Sequence, residues 1–166
     1  MDPILKIEIN EVDYRNHAQA EALIFLLDSY ARDPMGGGEP LSDFARRNLA
    51  AALAQRPGAF SVLAYVDGQP AGLVNCFEGF STFMCKPLAN IHDVVVLSAY
   101  RGKGLAQKMM ACVEDLARAR GCCKMTLEVL QGNQAAQQLY AKLGYAGYQL
   151  DAEHGNALFW QKYLDS

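Results

Sequence analysis

Apolar and polar positions alternate over residues 4–10, where Leu5, Ile7 and Ile9 share one face and Lys6 and Glu8 the other. A period of two predicts a half-buried strand. The period then lengthens, and Leu23, Leu26, Leu27 and Tyr30 recur at helical spacing. "RDPMGGGEP" ends that helix, because a proline and three glycines cannot continue it. Ser42 can cap a second helix that runs to about Gln55. "AFSVLAYV" and "PAGLVNCF" predict two strands joined as a hairpin by "DGQ". Residues 91–97 predict another strand. Leu105, Met109, Val113 and Leu116 mark a helix ending near Gly121. "KMTLEVL" predicts a strand, residues 133–143 a helix that stops at Gly144, and "YAGYQL" with "NALFWQKYL" a closing strand pair. The order β-α-α-β-β-β-α-β-α-β-β joins an early antiparallel meander to one late βαβ crossover, so the class is α+β or mixed α/β.

No repeat, low-complexity tract or linker divides the 166 residues, which predict a single domain over 1–166. The net charge is −3. Without a basic excess to neutralise a nucleic-acid backbone, no nucleic-acid partner is expected. Cys76, Cys85, Cys112, Cys122 and Cys123 form no C-x-x-C pair and no metal-ligand spacing with the histidines. They predict buried apolar thiols in a reducing compartment and no metal. "MDPILKIEIN" flanks a short apolar patch with acids, unlike a signal peptide. No apolar run approaches the ~20 residues of a membrane span. A cytoplasmic protein is expected.

The stretch "VVVLSAYRGKGLA" carries the chain from a strand into a helix. The first turn of a helix has N–H groups without helical partners, and the macrodipole adds positive character there. Gly102 and Gly104 keep side chains away, while Arg101 and Lys103 add charge, which makes a seat for a pyrophosphate. A nucleotide P-loop would need G-K-[ST], but Leu105 and Ala106 follow Gly104. A dinucleotide fingerprint would need a third glycine where Gln107 stands, although Glu128 lies where an acid would meet a ribose. A plain strand-to-helix turn with exposed charges is the third alternative.

The pattern R-x-x-G-x-A, from Arg101 to Ala106, is followed by "NQAAQQLYAKLGY", with Asn133, Ala136, Tyr140, Gly144 and Tyr145 in a fixed rhythm. Together they resemble the GNAT superfamily of acetyl-CoA-dependent N-acetyltransferases, most specifically over residues 91–145. The chain departs from the pattern with alanine at 106 and with Ser98 where proline is common. The resemblance implies an acyl-CoA N-acyltransferase fold. Its central sheet would be mixed and mostly antiparallel, with the fourth and fifth strands splayed and helices flanking them. It implies acetyl-CoA as co-substrate, with its pantetheine arm on the backbone of Val94, Val95 and Val96. The pyrophosphate would lie on Arg101, Gly102, Lys103, Gly104, Leu105 and Ala106. Asn133, Ala136 and Tyr140 would complete the cofactor side. Asn133 and Tyr140 share one helix face roughly 10 Å apart along the axis. Asn133 also suits a plain N-cap, and Tyr140 a core aromatic.

The implied chemistry is direct attack of an amine on the thioester, with Tyr140 protonating or hydrogen-bonding the leaving thiolate. His92 and Asp93, in "NIHDVVV", precede the expected strand bulge. His92 has the reference pKa that suits a base, and it also suits a hydrogen-bonded strand histidine. Asp93 suits the anchoring of an ammonium group. Neighbours on a strand face opposite sides, so both reach one site only if a bulge redirects one. The acceptor is expected to be a small-molecule primary amine, diamine- or polyamine-like or amino-acid-like. "HDVVVLSAYRGKGLA" with "HGNALFWQKYL" resembles the diamine and polyamine branch, and "IHDVVV" with "CKMTLE" the amino-sugar-phosphate branch. Both branches have an acidic pair where His92 and Asp93 stand. A polyamine would want acids, which Asp28, Asp33 and Glu39 around "MGGGEP" supply; a sugar phosphate would want cations, and the third-to-fourth strand connection offers only Lys86. A protein N-terminus or lysine is a further acceptor class, a non-catalytic acyl-CoA- or dinucleotide-binding module the alternative of another kind, and a homodimer the assembly to test.

Overall fold

The computed structural model describes residues 4–164, so the first three residues of "MDPILKIEIN" lie outside the described residues. The chain divides into two compact units, one ending at Leu130 and the other beginning at Gln131.

The first unit is a five-stranded sheet in the order β1-β2-β3-β4-β5. Strand β1 (Ile7–Glu11) leads through Asn16, whose side chain accepts from the Gln19 N–H, into α1 (His17–Arg32). Helix α1 buries Ala22, Leu23 and Leu26. A 3-10 turn, Pro34–Gly36, follows, and Asp33 caps it by accepting from the Met35 N–H at 2.9 Å. One glycine here has a steric reason. A Cβ on Gly36 would lie 1.9 Å from the Tyr30 carbonyl oxygen, so the turn closes onto the end of α1 only with glycine. Ser42 caps α2 (Asp43–Ala54), accepting from the Ala45 N–H at 3.1 Å, as the spacing predicts.

Strand β2 (Ala59–Val66) returns antiparallel to β1, and β3 (Gln69–Ser81) pairs antiparallel with β2. Their turn places Asp67 and Gly68 at φ 49° and 78°, the positive pair of a tight hairpin turn that matches strand twist. Strand β4 (Lys86–Val96) pairs antiparallel with β3. Both strands outrun the expected 70–77 and 91–97, because the hairpin arm continues past the apolar region. After a second 3-10 turn, Ser98–Tyr100, helix α3 (Leu105–Ala119) crosses to β5 (Met125–Leu127), which lies parallel to β4.

Helices α1 and α2 cover one sheet face through a core that includes Leu23, Leu26, Leu53, Leu63, Leu73 and Val95. Helix α3 covers the other, burying Leu105, Met109, Met110, Val113 and Ala117. Arg120, just past α3, stacks 4.4 Å over the Phe60 ring and reaches Glu11 at 3.3 Å and Glu78 at 3.7 Å.

The second unit holds α4 (Gln134–Lys142). The expected closing strand pair is corrected: one isolated antiparallel bridge, Gln149 to Asn156, stands there. The side chains of Leu158, Phe159, Trp160 and Tyr163 are exposed. A strand persists only when a partner edge satisfies its backbone, and alternation alone does not supply one.

The cysteine expectation is also corrected in part. All five are free thiols, but only Cys76 is buried, while Cys85 is exposed on the hairpin tip at φ 52°. Among the described residues, no helix is long and apolar enough to cross a membrane, and no group of three His, Cys, Asp or Glu is placed to hold a metal ion.

Candidate active site

The register of β3 against β4 shifts at one point. Asn75 pairs with Asp93, and Cys76 pairs with Ile91, so His92 is left over on β4. One extra residue is a β-bulge, and it redirects side chains. Asp93 follows the alternation of Val95 and lies toward the α1/α2 core. The His92 ring meets the Phe77 ring edge-on, 5.5 Å between centroids, and Phe77 packs on that same core. The bulge therefore turns both His92 and Asp93 to one face. His92 is exposed and Asp93 half-buried.

Tyr30, on α1, stands in the field of this carboxylate. Burial pushes its phenol above the ordinary range, and the charges of Asp93 and Asp33 push it further the same way. The Tyr30 hydroxyl donates to the Met35 carbonyl at 3.4 Å. Two acids thus flank one phenol where α1 ends. Of the other acids of that segment, Asp28 is engaged: it accepts from Arg32 and from the Leu41 N–H.

Strand β5 pairs with β4 only from Ala89 to Ile91. Beyond Ile91 the β4 edge is not paired by β5. The Leu97 N–H donates to Ala71 at 3.0 Å, across to β3. Alternation then turns the backbone of Val95 toward β3 and that of Val94 and Val96 toward the open edge. The Val96 carbonyl agrees with this assignment, since it accepts from Arg101 Nε at 3.2 Å. Of the three valines, Val94 and Val96 have backbone groups turned to the open edge. The Val95 side chain belongs to the core.

Next along the chain, Gly102 and Gly104 sit at φ 74° and 73°, in the left-handed region that favours glycine. Gly104 is the N-cap of α3 and offers no side-chain cap. The N–H groups of Leu105, Ala106 and Gln107 in the first turn of α3 therefore have no capping side chain. Ideal Cβ atoms at Gly102 and Gly104 would meet nothing within 4 Å, so the cradle is open. Lys103 has no ion pair among the described residues, while Arg101 lies 3.9 Å from Asp33. An anion fits this turn.

On α4, the Asn133 side chain accepts from the Ala136 N–H at 3.1 Å, so it is the N-cap. Asn133, Ala136 and Tyr140 form a half-buried stripe of that helix. The Tyr140 ring meets the Tyr145 ring at 6.1 Å, edge to face.

Three polar side chains that the sequence does not single out lie behind Asp93. Asn75 Nδ2 donates to Asp93 Oδ2 at 3.0 Å, Ser61 Oγ donates to Asn75 Oδ1 at 2.7 Å, and the Tyr14 hydroxyl lies 2.8 Å from Ser61 Oγ. Among the described residues, Ser61 and Asn75 are the buried polar ones, 1% and 4% exposed. The signal in the sequence is slight: one polar residue inside each of two apolar strands.

Residues 13–145 match the family model described as "Acetyltransferase (GNAT) family". An uncharacterized N-acetyltransferase of Archaeoglobus fulgidus is 30% identical over 122 residues, covering 69% of this chain and 83% of the relative. Glucosamine 6-phosphate N-acetyltransferase of Trypanosoma brucei brucei is 28% identical over 118 residues, 66% of this chain and 74% of its own. Thialysine N-epsilon-acetyltransferase of Bos taurus is 37% identical over 54 residues, 32% of each chain. The chain spans 36% and 37% of the length of two Bacillus subtilis N-acetyltransferases that it also matches. Among solved structures, an aminoglycoside N-acetyltransferase in complex with CoA superposes with a TM-score of 0.73 at 20% identity, covering 98% of both chains.

Proposed function

Because the chain belongs to the GNAT acetyltransferase family, we propose that it moves an acetyl group from acetyl-CoA to a primary amine of a small cationic molecule by direct attack. The observation that carries the acceptor part is the bulge, which puts His92 and the Asp93 carboxylate on one face of β4, with Tyr30 in the field of Asp93 and Asp33. An ammonium group suits that field. The structural neighbour acts on aminoglycosides and one relative on thialysine, both amines, which supports the same class.

The roles follow from the chain's own groups. The first-turn N–H groups of α3, with Arg101 and Lys103, hold the pyrophosphate of acetyl-CoA. Val94 and Val96 offer backbone groups to its pantetheine arm, and a backbone N–H near Val94 meets the oxyanion. Asp93 anchors the acceptor. A primary amine with a pKa near 10.4 needs about 4–5 kcal/mol to arrive neutral at pH 7, and His92 takes that proton. Tyr140, by family resemblance, stabilises the leaving thiolate. Full transfer from a phenol is uphill by about 2 kcal/mol on reference values, so its proton moves late. This reading takes the chain as one domain, since the family match runs from 13 to 145 through both units. It includes a cytoplasmic setting, where free thiols persist, and assembly as a homodimer.

The sugar-phosphate relative supports a second acceptor class, but cations to meet a phosphate are scarce on the β3–β4 arm, where Lys86 opens β4. The test is thiol release from acetyl-CoA with a panel: 1,4-diaminobutane, lysine, an aminoglycoside, glucosamine 6-phosphate and a peptide with a free N-terminus. Release with the diamine, lysine or aminoglycoside is expected. Release with glucosamine 6-phosphate alone would move the acceptor to the sugar-phosphate class. Acetyl-CoA binding without release from any amine would make the chain a non-catalytic binding module.

A further inference from the structure

Cross-strand pairing puts Ser61, Asn75 and Asp93 in one row over β2, β3 and β4. The next row on the same face is Leu63, Leu73 and Val95, all in the core. A polar row in such a face is unfavourable unless every member is partnered, and an apolar row would pack there without that demand. Here each member of the row has a partner. The Ser61 hydroxyl has one hydrogen, and it goes to Asn75 Oδ1. Tyr14 must therefore be the donor to Ser61 across their 2.8 Å contact. Burial holds the Tyr14 phenol above its ordinary range, so it keeps its proton and remains a donor. An ionised carboxylate only accepts, so Asn75 must turn its Nδ2 to Asp93. Every hydrogen bond in the chain points the same way, from Tyr14 toward Asp93.

We propose that Tyr14, Ser61 and Asn75 are positioning residues that clamp Asp93 Oδ2 and so aim Oδ1 at the ammonium group of the acceptor, setting specificity for cationic amines. The inference rests on the acetyl-transfer reading above. Among the described residues, Oδ1 accepts no hydrogen bond. The chain is not a proton wire: the Asn75 amide accepts at oxygen and donates at nitrogen, and it could relay a proton only through an imidic acid form. Its effect is to fix a geometry. The far end is anchored by Tyr14, half-buried and packed against the α1/α2 core. A loosened Asp93 still carries its charge but no longer presents it in one direction.

The test is a double-mutant cycle on steady-state constants with 1,4-diaminobutane and acetyl-CoA, using the full chain. Asn75→Ala is expected to raise KM for the diamine about tenfold, with kcat and KM for acetyl-CoA within about threefold. Asp93→Asn is expected to raise the same KM at least as much. Adding Asn75→Ala to Asp93→Asn is expected to change KM by less than about twofold, because the group that Asn75 positions is already lost. Tyr14→Phe, which keeps the ring packing, should show the same pattern at about two- to threefold and serves if Asn75→Ala does not fold. Multiplying effects in the cycle, or a loss confined to kcat, would overturn the clamp while leaving acetyl transfer intact. Wild-type protein that releases no thiol with any amine of the panel would overturn the functional reading, and the clamp with it.

Discussion

His92 and Asp93 are neighbours that a regular strand would turn to opposite faces, and the single extra residue on β4 brings them to one. Their proposed roles separate by pH. A base is needed only while the acceptor is ammonium, so the deficit of His92→Ala in kcat/KM should be largest near pH 7 and shrink toward pH ~10. A pH–rate series of the mutant against wild type checks this; a deficit independent of pH would make His92 a packing partner of Phe77. Tyr140→Phe should lower turnover by about 10²–10⁴-fold and leave acetyl-CoA affinity within about threefold, read by steady-state kinetics and calorimetry. Wild-type turnover would return Tyr140 to a structural role beside Tyr145. His92 and Asp93 are legible in the sequence because they sit in a motif. Asn75 and Ser61 are not. Each is one polar residue in an apolar strand, and its meaning lies in the register that places it opposite the next.

At the scale of elements, the glycine turn before α3 is the part that local pattern predicts best. A left-handed backbone, a helix start and two cations are all local properties. Gly104→Glu tests it twice. At φ 73° any side chain is strained, so folding stability should fall by about 1–2 kcal/mol in urea titrations. A carboxylate at an anion seat should also weaken acetyl-CoA in calorimetry well beyond the loss seen for Lys103→Ala. Equal affinities in folded protein would remove the pyrophosphate from this turn. The β3–β4 hairpin is less legible. Its outer arm pairs as far as Ser81 and Lys86, but Glu78, Gly79 and Phe80 are exposed, so the backbone stays extended where the alternating signal has gone. The closing strands fail for the opposite reason: the alternation is present, but the residues make one bridge.

For the whole molecule, burial of neutral acids decides the alkaline limit. Burial, with the Asp93 charge adding to it, pushes the Cys76 thiol from 9.0 up to about 12. The thiols of Cys112 and Cys122 and the phenols of Tyr14, Tyr30 and Tyr65 are raised too, each mainly by burial. Between the unfolded and folded values of Cys76 the unfolded chain releases a proton that the folded chain holds. The unfolded state then binds fewer protons, and stability falls as pH rises. Urea midpoints should hold steady below about pH 8.5 and decline above it. Cys76→Ala should decline less steeply, and parallel curves would assign the fall to other groups. The polar row across β2, β3 and β4 bears on how the chain finds this sheet at all. A slip of two residues between β3 and either neighbour keeps every apolar side chain on its proper face, so hydrophobic pattern alone does not forbid it. Such a slip sets Asn75 against an aliphatic neighbour and strands buried hydroxyl and amide groups, at about 1–3 kcal/mol each. The row that aims one carboxylate thus also tells three strands which of their near-equivalent alignments is the native one.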